Sequence, residues 1–196
     1  MGDIKSAAEI AREKIEKLGE VTEEERLKWK FIPEGEKLAA RYIKEDCHLD
    51  TEINKYEEKA RKYVTESIND ILIRNINLPG NDIARQMNKK AMEGLKAIKK
   101  DKVSVENMFS KMRHVLEHYV KEGEEQRRQA YESLKSEFEA KIQQALKQQT
   151  GINSSMKIDV ERQPQFQEEW RNLRFQMDSQ YNNLLDEYKH ELSTIS

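Results

Sequence analysis

The fold is indicated most clearly by residues 170–188, which read WRNLRFQMDSQYNNLLDEY. The large apolar residues in this stretch recur at steps of three and four, the spacing that places side chains on one face of an α-helix. Together with Phe166 they form a stripe that is narrow enough to be the seam for another helix, most simply one over residues 104–149 or 36–76 reached through an antiparallel turn at 150–164. The predicted seam consists of Phe166, Trp170, Leu173, Met177, Tyr181, Leu184 and Tyr188.

Phe175 interrupts this pattern, because at about 100° per residue it projects about 180° away from the stripe. Together with Arg174 and Leu185 it suggests a second contact, either with another helix of the same chain or with a second subunit. The alternative is a single exposed aromatic side chain, which is common on protein surfaces. Phe175 is therefore included among the candidate interaction residues.

The composition favours long helices. Charged residues make up 37% of the 196 residues and hydrophobic residues 36%, yet the net charge is only −2, and the chain has seven Gly and three Pro. Long amphipathic helices with narrow apolar seams have this composition, and the shortage of Gly and Pro leaves few turns. We expect an all-α fold: an elongated long-helix bundle or an antiparallel, coiled-coil-like helical hairpin.

One elongated domain, residues 1–196, is expected to contain four segments. Short helices occupy 1–33, a long-helix region covers 34–149, a linker covers 150–164, and a final helix covers 165–196. In the first segment, Asp3 can cap a helix that Gly19 ends. A capping box, Thr22-x-x-Glu25, then opens a short helix that is interrupted by Pro33 and Gly35.

The long-helix region has three internal signals. An apolar pattern over 36–76 weakens at 45–50, where Asp50 starts a new helix or the helix kinks. Asn81 or Asp82 then caps a helix whose apolar side carries Ile83, Met87, Ala91, Leu95 and Ile98. Ser104 caps the longest pattern, over 104–149, which can bend or thin near Gly123. In the linker, alternation of Met156, Ile158 and Val160 allows a short extended segment, and Pro164 suits the start of the final helix.

A metal site is the first alternative to a purely structural role. Glu45-x-x-His48 and Glu187-x-x-His190 resemble the ligand pairs of di-metal carboxylate bundles, in which Glu and His lie one helical turn apart. Such pairs also arise by chance in a chain with 37 acidic residues and four histidines. His114 and His118 share a helix face too, but that face points away from the apolar stripe. We therefore expect no metal and no cofactor. If a metal binds, the candidate ligands are Glu45, His48, Glu187 and His190.

Association with nucleic acid or an anionic membrane could involve KAIKKDK, residues 96–102. Lysines at a helix C-terminus also complement the helix dipole, and no aromatic side chains interleave for base stacking. Nucleic acid is therefore an unexpected partner. The sequence has no apolar run of membrane-spanning length and no secretory signal, so a cytoplasmic protein is expected. Cys47 is the single cysteine, which excludes an intrachain disulfide.

Two segments carry a family resemblance: GDIKSAAEIAREKIEKLG (2–19) and IDVERQPQFQEEWRNLRFQMDSQYNNLLDEYKHEL (158–192). They resemble the ends of a family of uncharacterised bacterial helical proteins, which open with "IKS…EIA…K" and close with "P.FQEEWR…QY…L..YK". Gln165 stands where that family usually has an acidic residue. The resemblance implies a cytoplasmic protein of bacteria or archaea, and it supplies no catalytic residues.

The sequence therefore predicts a non-enzymatic structural or protein-interaction protein, a scaffold or adaptor that self-associates. A dimer is favoured, because narrow apolar stripes on charged helices are only partly covered within one chain. The alternative is a helical bundle that binds metal through carboxylates and histidines.

Overall fold

The structure is a computed structural model that describes residues 22–45, 47–150 and 159–196. Within these ranges it contains helices and no β-strand, which confirms the all-α prediction. The helix predicted over residues 3–18 and the extended segment predicted at Met156–Ile158 lie outside the described residues. The α-helices are α1 (Glu23–Lys44), α2 (Leu49–Ile53), α3 (Glu58–Arg74), α4 (Asp82–Ile98), α5 (Lys102–Thr150) and α6 (Pro164–Thr194).

The chain divides into two compact units, residues 1–72 and 73–196. The first contains α1, α2 and nearly all of α3, and the second contains α4, α5 and α6. The single-domain organisation expected from the sequence stays a prediction.

Helix α1 begins where the sequence predicts. The hydroxyl of Thr22 accepts a hydrogen bond from the Glu25 N–H at 3.2 Å, and the Glu25 carboxylate accepts one from the Thr22 N–H at 2.8 Å. These two bonds complete the capping box and lower the pKa of Glu25. The helix then continues through Pro33 and Gly35, so the prediction that it ends there was wrong. Pro33 removes one N–H donor, but its ring lies on the exposed side of the helix.

Gly35 is a packing position in the first unit. A Cβ added to it would lie 2.6 Å from the carbonyl oxygen of Val64 and 2.8 Å from the Cβ of Ser67, so α1 and α3 cross with almost no space between them. One turn away, the Ser67 hydroxyl donates a hydrogen bond to the Ile32 carbonyl at 2.9 Å. The residue that looks like a helix stop in the sequence therefore permits a close helix–helix contact.

The apolar pattern over 36–76 belongs to three separate helices and not to one kinked helix, an alternative that the sequence left open. Helix α1 ends at Lys44, and Glu45 has an extended backbone (φ −125°, ψ 162°). The five-residue α2 buries Leu49 and Ile53 and is joined to α1 by an ion pair between Arg41 and Glu52 at 2.8 Å.

The turn before α4 is held by two asparagines. The buried Asn88 side chain accepts a hydrogen bond from the Asn77 N–H at 2.9 Å and donates one to the Asn77 carbonyl at 2.7 Å. Asn81 caps α4, as predicted, by accepting a hydrogen bond from the Ala84 N–H at 2.9 Å. The predicted apolar side is only partly correct: Ala91 and Leu95 are buried as predicted, but Ile83 and Met87 are exposed, and the helix also buries Asn88 and Met92.

Helix α5 is continuous over 49 residues from Lys102 to Thr150 and does not end at Gly123. Asp101 caps its first turn, where its carboxylate accepts hydrogen bonds from the Ser104 N–H at 3.0 Å and the Ser104 hydroxyl at 2.6 Å. The prediction of Ser104 as the cap was therefore three residues late. The bonds from Ser104 also lower the pKa of Asp101.

Helices α5 and α6 form an antiparallel hairpin, which is one of the two pairings that the sequence left open for the final helix. Contacts pair residues late in α5 with residues early in α6 and the reverse: Phe138 with Phe166, Tyr119 with Tyr181, and Lys111 with Glu191. Pro164 is the first residue of α6. Before it, Val160–Arg162 form a 3-10 turn with Val160 buried, so the described end of the linker is helical where an extended segment had been considered.

Candidate interaction surfaces on the helical hairpin

An aromatic cluster fixes the end of the hairpin near the linker. The Phe166 ring lies edge-on against Tyr131 and Phe138 at centroid distances of 5.5 and 5.4 Å, and Trp170 contacts Tyr131 at 5.0 Å. Val160 and Leu134 complete this core. Burial and the Glu161 carboxylate raise the pKa of Tyr131. This end of the seam is therefore closed by α5 itself.

A polar layer lies in the middle of the hairpin. The Arg127 guanidinium stacks on the Tyr119 ring at 4.1 Å and donates a hydrogen bond to the Tyr119 carbonyl at 3.3 Å. Its Nη1 faces Oδ1 of Asp178 on α6 at 3.8 Å. Burial, and then the nearby Asp178 carboxylate, raise the pKa of Tyr119.

Gly123 makes room for this layer. A Cβ at this position would lie 3.2 Å from Arg127 Nη1 and 3.2 Å from the Tyr181 hydroxyl. That hydroxyl is also 2.9 Å from Nδ1 of His118. The absence of a side chain at Gly123 thus brings the ends of three polar side chains together beside the hairpin core.

The buried line of α6 differs from the predicted seam in its second half. Phe166 is buried, and Trp170, Leu173, Met177, Tyr181 and Tyr188 are half-buried. Beyond Tyr181, the core residues are Leu185 and Leu192, which are both fully buried, whereas Leu184 is exposed. The grouping of Leu185 with Arg174 and Phe175 on the outer face was therefore wrong, because Leu185 is in the core and only Arg174 and Phe175, the latter 73% exposed, remain outside it. Steps of three and four after Tyr181 are equally helical, so periodicity does not choose between them.

Leu184 belongs to a groove of about 600 Å³ that runs beside the core, between α5 and α6. On α5 it is lined by His114, Val115, His118 and Gln126. On α6 it is lined by Leu173, Gln176, Met177, Gln180, Tyr181 and Leu184. None of these ten residues is Asp, Glu, Lys or Arg, although 37% of the chain is charged. We call this surface the uncharged groove.

Charged side chains stand around the uncharged groove. Lys111 and Glu191 pair at 3.8 Å beyond one end of it, and helical spacing places Glu122 on the same side of α5, one turn from His118. An uncharged centre with apolar and aromatic side chains and a charged surround is the composition of a protein–protein contact surface.

A second groove, of about 720 Å³, lies between α4 and α5. Its apolar lining residues are Pro79, Met92, Phe109, Leu116 and Val120, and the buried amide of Asn88 also lines it. We call this surface the α4–α5 groove.

The edges of the α4–α5 groove carry more positive than negative charge. Five cationic side chains line it: Arg85, Lys89, Lys96, Arg113 and Lys121. Three carboxylates also line it: Glu93, Glu106 and Glu117. Glu106 accepts hydrogen bonds from Lys96 at 2.7 Å and Arg113 at 2.6 Å, and both bonds lower the pKa of its carboxyl group.

Comparison with known families identifies the group to which the chain belongs. The model described as "Family of unknown function (DUF6657)" matches residues 50–194, which include both grooves. The chain belongs to this family. The expectation of an uncharacterised family with no established activity is thereby confirmed, and the DUF6657 match includes the segment 158–192 that carried the resemblance. No curated protein and no solved structure matches the chain.

Of the two candidate metal-ligand pairs in this DUF6657 chain, only Glu187 and His190 lie on one helix. Glu45 follows the last residue of α1 and His48 precedes the first residue of α2, so the one-turn spacing is lost. Glu187 and His190 do share α6, but both are exposed. In the described ranges, no group of three or more His, Cys, Asp or Glu residues comes together in an arrangement that could hold a metal ion. The metal-binding alternative has no support in this part of the chain.

The basic run 96–102 is engaged in intramolecular contacts. The Lys102 ammonium donates hydrogen bonds to the carbonyl oxygens of Lys96 and Ala97 in the last turn of α4. Lys99 is buried and donates to the Ile195 carbonyl at 2.6 Å. These contacts agree with the interpretation that the lysines of 96–102 stabilise the C-terminus of α4.

The remaining residues noted in the sequence have simple environments. Cys47 is a half-buried free thiol, and His114 is exposed at the edge of the uncharged groove. Across the residues that the structure describes, no helix has an apolar stretch long enough to cross a lipid bilayer.

Sequence reasoning missed both grooves. The signal available for the uncharged groove was the charge-free spacing of Leu173, Gln176, Met177 and Gln180 on one face of α6.

Proposed function

We propose that this chain is a non-enzymatic interaction protein, a scaffold or adaptor, that forms a homodimer through the uncharged groove. The observation that carries the proposal is the absence of charged residues among the ten that line the groove.

Symmetry explains why an uncharged surface suits a second copy of the same chain. In a two-fold dimer the same patch lies on both subunits, so residues near the axis face their own counterparts. A charge near that axis would meet an identical charge, which is unfavourable when water is excluded. Glutamine amides avoid this repulsion, because each amide both donates and accepts hydrogen bonds. Gln126, Gln176 and Gln180 supply such groups.

The apolar side chains of the groove supply the driving force. Leu173, Met177 and Tyr181 are half-buried and Leu184 is 37% exposed in the single chain, so each still has surface to bury. Complete burial of such a side chain contributes about 1.5–3 kcal/mol. A dimer that dissociates at about 1 µM needs about 8 kcal/mol. Several partly exposed apolar residues on each of two copies contribute toward an association of this order, less the cost of lost translational and rotational freedom.

A charge-swap experiment tests the proposal. Gln176→Lys with Gln180→Lys gives a lysine variant, and Gln176→Glu with Gln180→Glu gives a glutamate variant. We expect the wild-type chain to sediment as a dimer at about 10–100 µM and each variant to sediment as a monomer with unchanged helicity. An equimolar mixture of the two variants should form a heterodimer, because opposite charges then face each other.

Gln144→Lys with Gln148→Lys is the matched control, since both positions are exposed on α5 outside the groove and have the same i, i+4 spacing. This control should remain dimeric. A monomeric wild-type chain at about 100 µM overturns the dimer. A lysine variant that stays dimeric, or a mixture that does not associate, excludes the uncharged groove as the interface.

A further inference from the structure

Helix α1 has one exposed face that carries only cationic and uncharged side chains. Gly35, which contacts α3, is nine residues from both Arg26 and Lys44, so at about 100° per residue these two residues lie directly opposite that contact. Every residue of 26–44 within about 60° of the line from Arg26 to Lys44 is exposed. We call this surface the basic face of α1: Arg26, Trp29, Lys30, Pro33, Lys37, Ala40, Arg41 and Lys44.

We infer that the basic face of α1 binds the surface of a lipid bilayer that contains anionic headgroups. In this mode α1 lies parallel to the membrane surface, with Trp29 at the level of the headgroups and the cations against their negative charges. The face belongs to the first unit, so the inference does not depend on dimer formation through the uncharged groove.

Most cations of the basic face are available to an external anion. Four of the five form no ion pair with any residue that the structure describes: Arg26, Lys30, Lys37 and Lys44. The fifth, Arg41, pairs with Glu52. Within 26–44 the carboxylates are Glu34 and Glu36, which lie at the two edges, about 80° from the centre of the face. The face itself is therefore not neutralised by acidic residues.

The shape of the basic face fits a flat partner. The distance from Arg26 to Lys44 along the helix is about 27 Å, and the cations are spread over all of it. A helix presents a convex surface, so these cations do not converge on one small anion. A helix with four to eight cations is typical of proteins that bind anionic lipids, and each cation near such a surface contributes about a fivefold gain in affinity.

Trp29 distinguishes a bilayer from other negatively charged partners. Its side chain is 68% exposed, and Pro33 follows it one turn later on the same side of the face. A tryptophan combines a large apolar ring with an N–H donor, which is why it is enriched where lipid headgroups meet the hydrocarbon. Insertion there buries the apolar ring while the adjacent lysines keep their ammonium groups in the headgroup region.

Two other kinds of partner fit the basic face less well. Single-stranded nucleic acid is bound in grooves where several aromatic rings stack on successive bases, whereas this face is convex and Trp29 is its one aromatic residue. A protein partner needs an apolar centre, and Trp29 is the one large apolar side chain of the face. A second copy docked face to face would place lysines against lysines.

Cosedimentation of the full chain with vesicles tests the inference. The probes are vesicles of phosphatidylcholine with about 30% phosphatidylserine and vesicles of phosphatidylcholine alone. We expect binding to the first kind only, and a loss of at least about tenfold in affinity when salt rises from about 50 to about 500 mM. In a Trp170→Phe background, the emission of Trp29 should shift to the blue and become protected from acrylamide when the anionic vesicles are added.

Variants separate the charge of the face from its aromatic residue. Lys30→Gln with Lys37→Gln should weaken binding to the anionic vesicles about 25-fold, with unchanged helicity. Lys121→Gln with Lys147→Gln makes the same change in net charge at exposed positions of α5 and should leave binding unchanged. Trp29→Ala should weaken binding at least about threefold. Phe175→Ala, which removes another exposed ring, should have no effect on it.

Four results overturn the inference. The first is no binding to the anionic vesicles at about 50 mM salt, and the second is equal binding to both kinds of vesicle. The third is equal binding by the Lys30→Gln with Lys37→Gln variant and the Lys121→Gln with Lys147→Gln variant. The fourth is tighter binding of a DNA or RNA oligonucleotide than of anionic vesicles, when that binding is lost with Lys30 and Lys37.

Discussion

Gly35 and Gly123, one in each unit, both lie in the interior of a helix, but they have different structural roles. At Gly35 an added Cβ would meet the backbone of α3 and the Cβ of Ser67, which cannot move without moving the helix. At Gly123 it would meet only the ends of the Arg127 and Tyr181 side chains. The first glycine lets two helices touch, whereas the second makes room for polar groups beside a core built of large aromatic side chains. Whether a helix tolerates a side chain in place of a buried glycine therefore depends on how far the neighbouring atoms can move.

The largest effect is expected from removing an aromatic side chain of the hairpin. Phe166→Ala deletes a ring that is 2% exposed and touches Tyr131 and Phe138, so it should lower the free energy of unfolding of the second unit by about 3–5 kcal/mol. Urea unfolding followed by Trp170 fluorescence in a Trp29→Phe background measures this, because Trp29 is the other tryptophan.

Phe175→Ala is the matched control, since this ring is 73% exposed on the outer face of α6. It should change the unfolding free energy by less than about 0.5 kcal/mol. Equal losses for Phe166→Ala and Phe175→Ala would contradict the assignment of the hairpin core.

Gly35→Ala tests the close helix contact. The gain in helix propensity is about 1 kcal/mol, but overpacking costs about 1–3 kcal/mol, and more where backbone atoms are in contact. With a Cβ–oxygen distance of 2.6 Å we expect a net loss of about 2 kcal/mol. Hydrogen exchange of α1 and α3 amides, compared with urea unfolding followed by circular dichroism, detects it. A stabilised Gly35→Ala variant would show that α1 and α3 have room for a methyl group.

Asp178→Asn tests the polar layer of the hairpin. The substitution leaves the Arg127 guanidinium partly buried without its carboxylate partner, which should lower the unfolding free energy by about 1–2 kcal/mol. Asp186→Asn provides the comparison, because Asp186 pairs with Lys189 at 3.2 Å and its side chain is 70% exposed. That change should cost less than about 0.5 kcal/mol in the same urea experiment. The idea of a polar layer fails if the two substitutions have the same effect.

Gly123→Ala should be nearly neutral, within about 0.5 kcal/mol. Its gain in helix propensity of about 1 kcal/mol is offset by the displacement of the Arg127 and Tyr181 side-chain ends, both 3.2 Å away. The same urea measurement applies. If Gly123→Ala lowers the unfolding free energy as much as Gly35→Ala does, the proposed difference between the two glycines is wrong.

The smallest effect concerns pH. Burial and the Asp178 carboxylate raise the folded-state pKa of Tyr119, so its contribution to stability is complete below the unfolded value of about 10 and is lost as pH rises through the folded value. Tyr119→Phe should therefore flatten the decline of the melting temperature at alkaline pH. Tyr188→Phe, on α6, should keep that decline. An alkaline decline that Tyr119→Phe leaves unchanged assigns the effect to other groups.

The parts of the fold that were predictable rest on local interactions. The capping box at Thr22 and Glu25, a cap at Asn81 or Asp82 and an antiparallel return of the final helix could be inferred from residue type and spacing, but the partner of that helix was left open. The continuous α5 and the broken 36–76 pattern were both left open, because apolar periodicity persists across a helix break when both flanking helices bury the same side.

The candidate sites were less predictable, because they depend on contacts between segments that are distant in sequence. Leu184 and Leu185 are both apolar and adjacent, so only the position of α5 decides which one is buried. Glu45 and His48 have the spacing of a metal-ligand pair, but that spacing has a geometric meaning only within one helix, and α1 ends at Lys44. The α4–α5 groove combines residues from two helices whose separate patterns give no sign of a gap between them.

The sequence by itself determined that this protein is helical and where several of its helices begin. These properties follow from hydrogen bonds and side-chain periodicity within about one helical turn. Only the tertiary structure decided that Gly35 and Gly123 are packing positions, that Leu185 belongs to the core, and that two grooves of different charge lie on the second unit. The physical reason is that burial and electrostatic surroundings depend on neighbours that the order of residues does not specify.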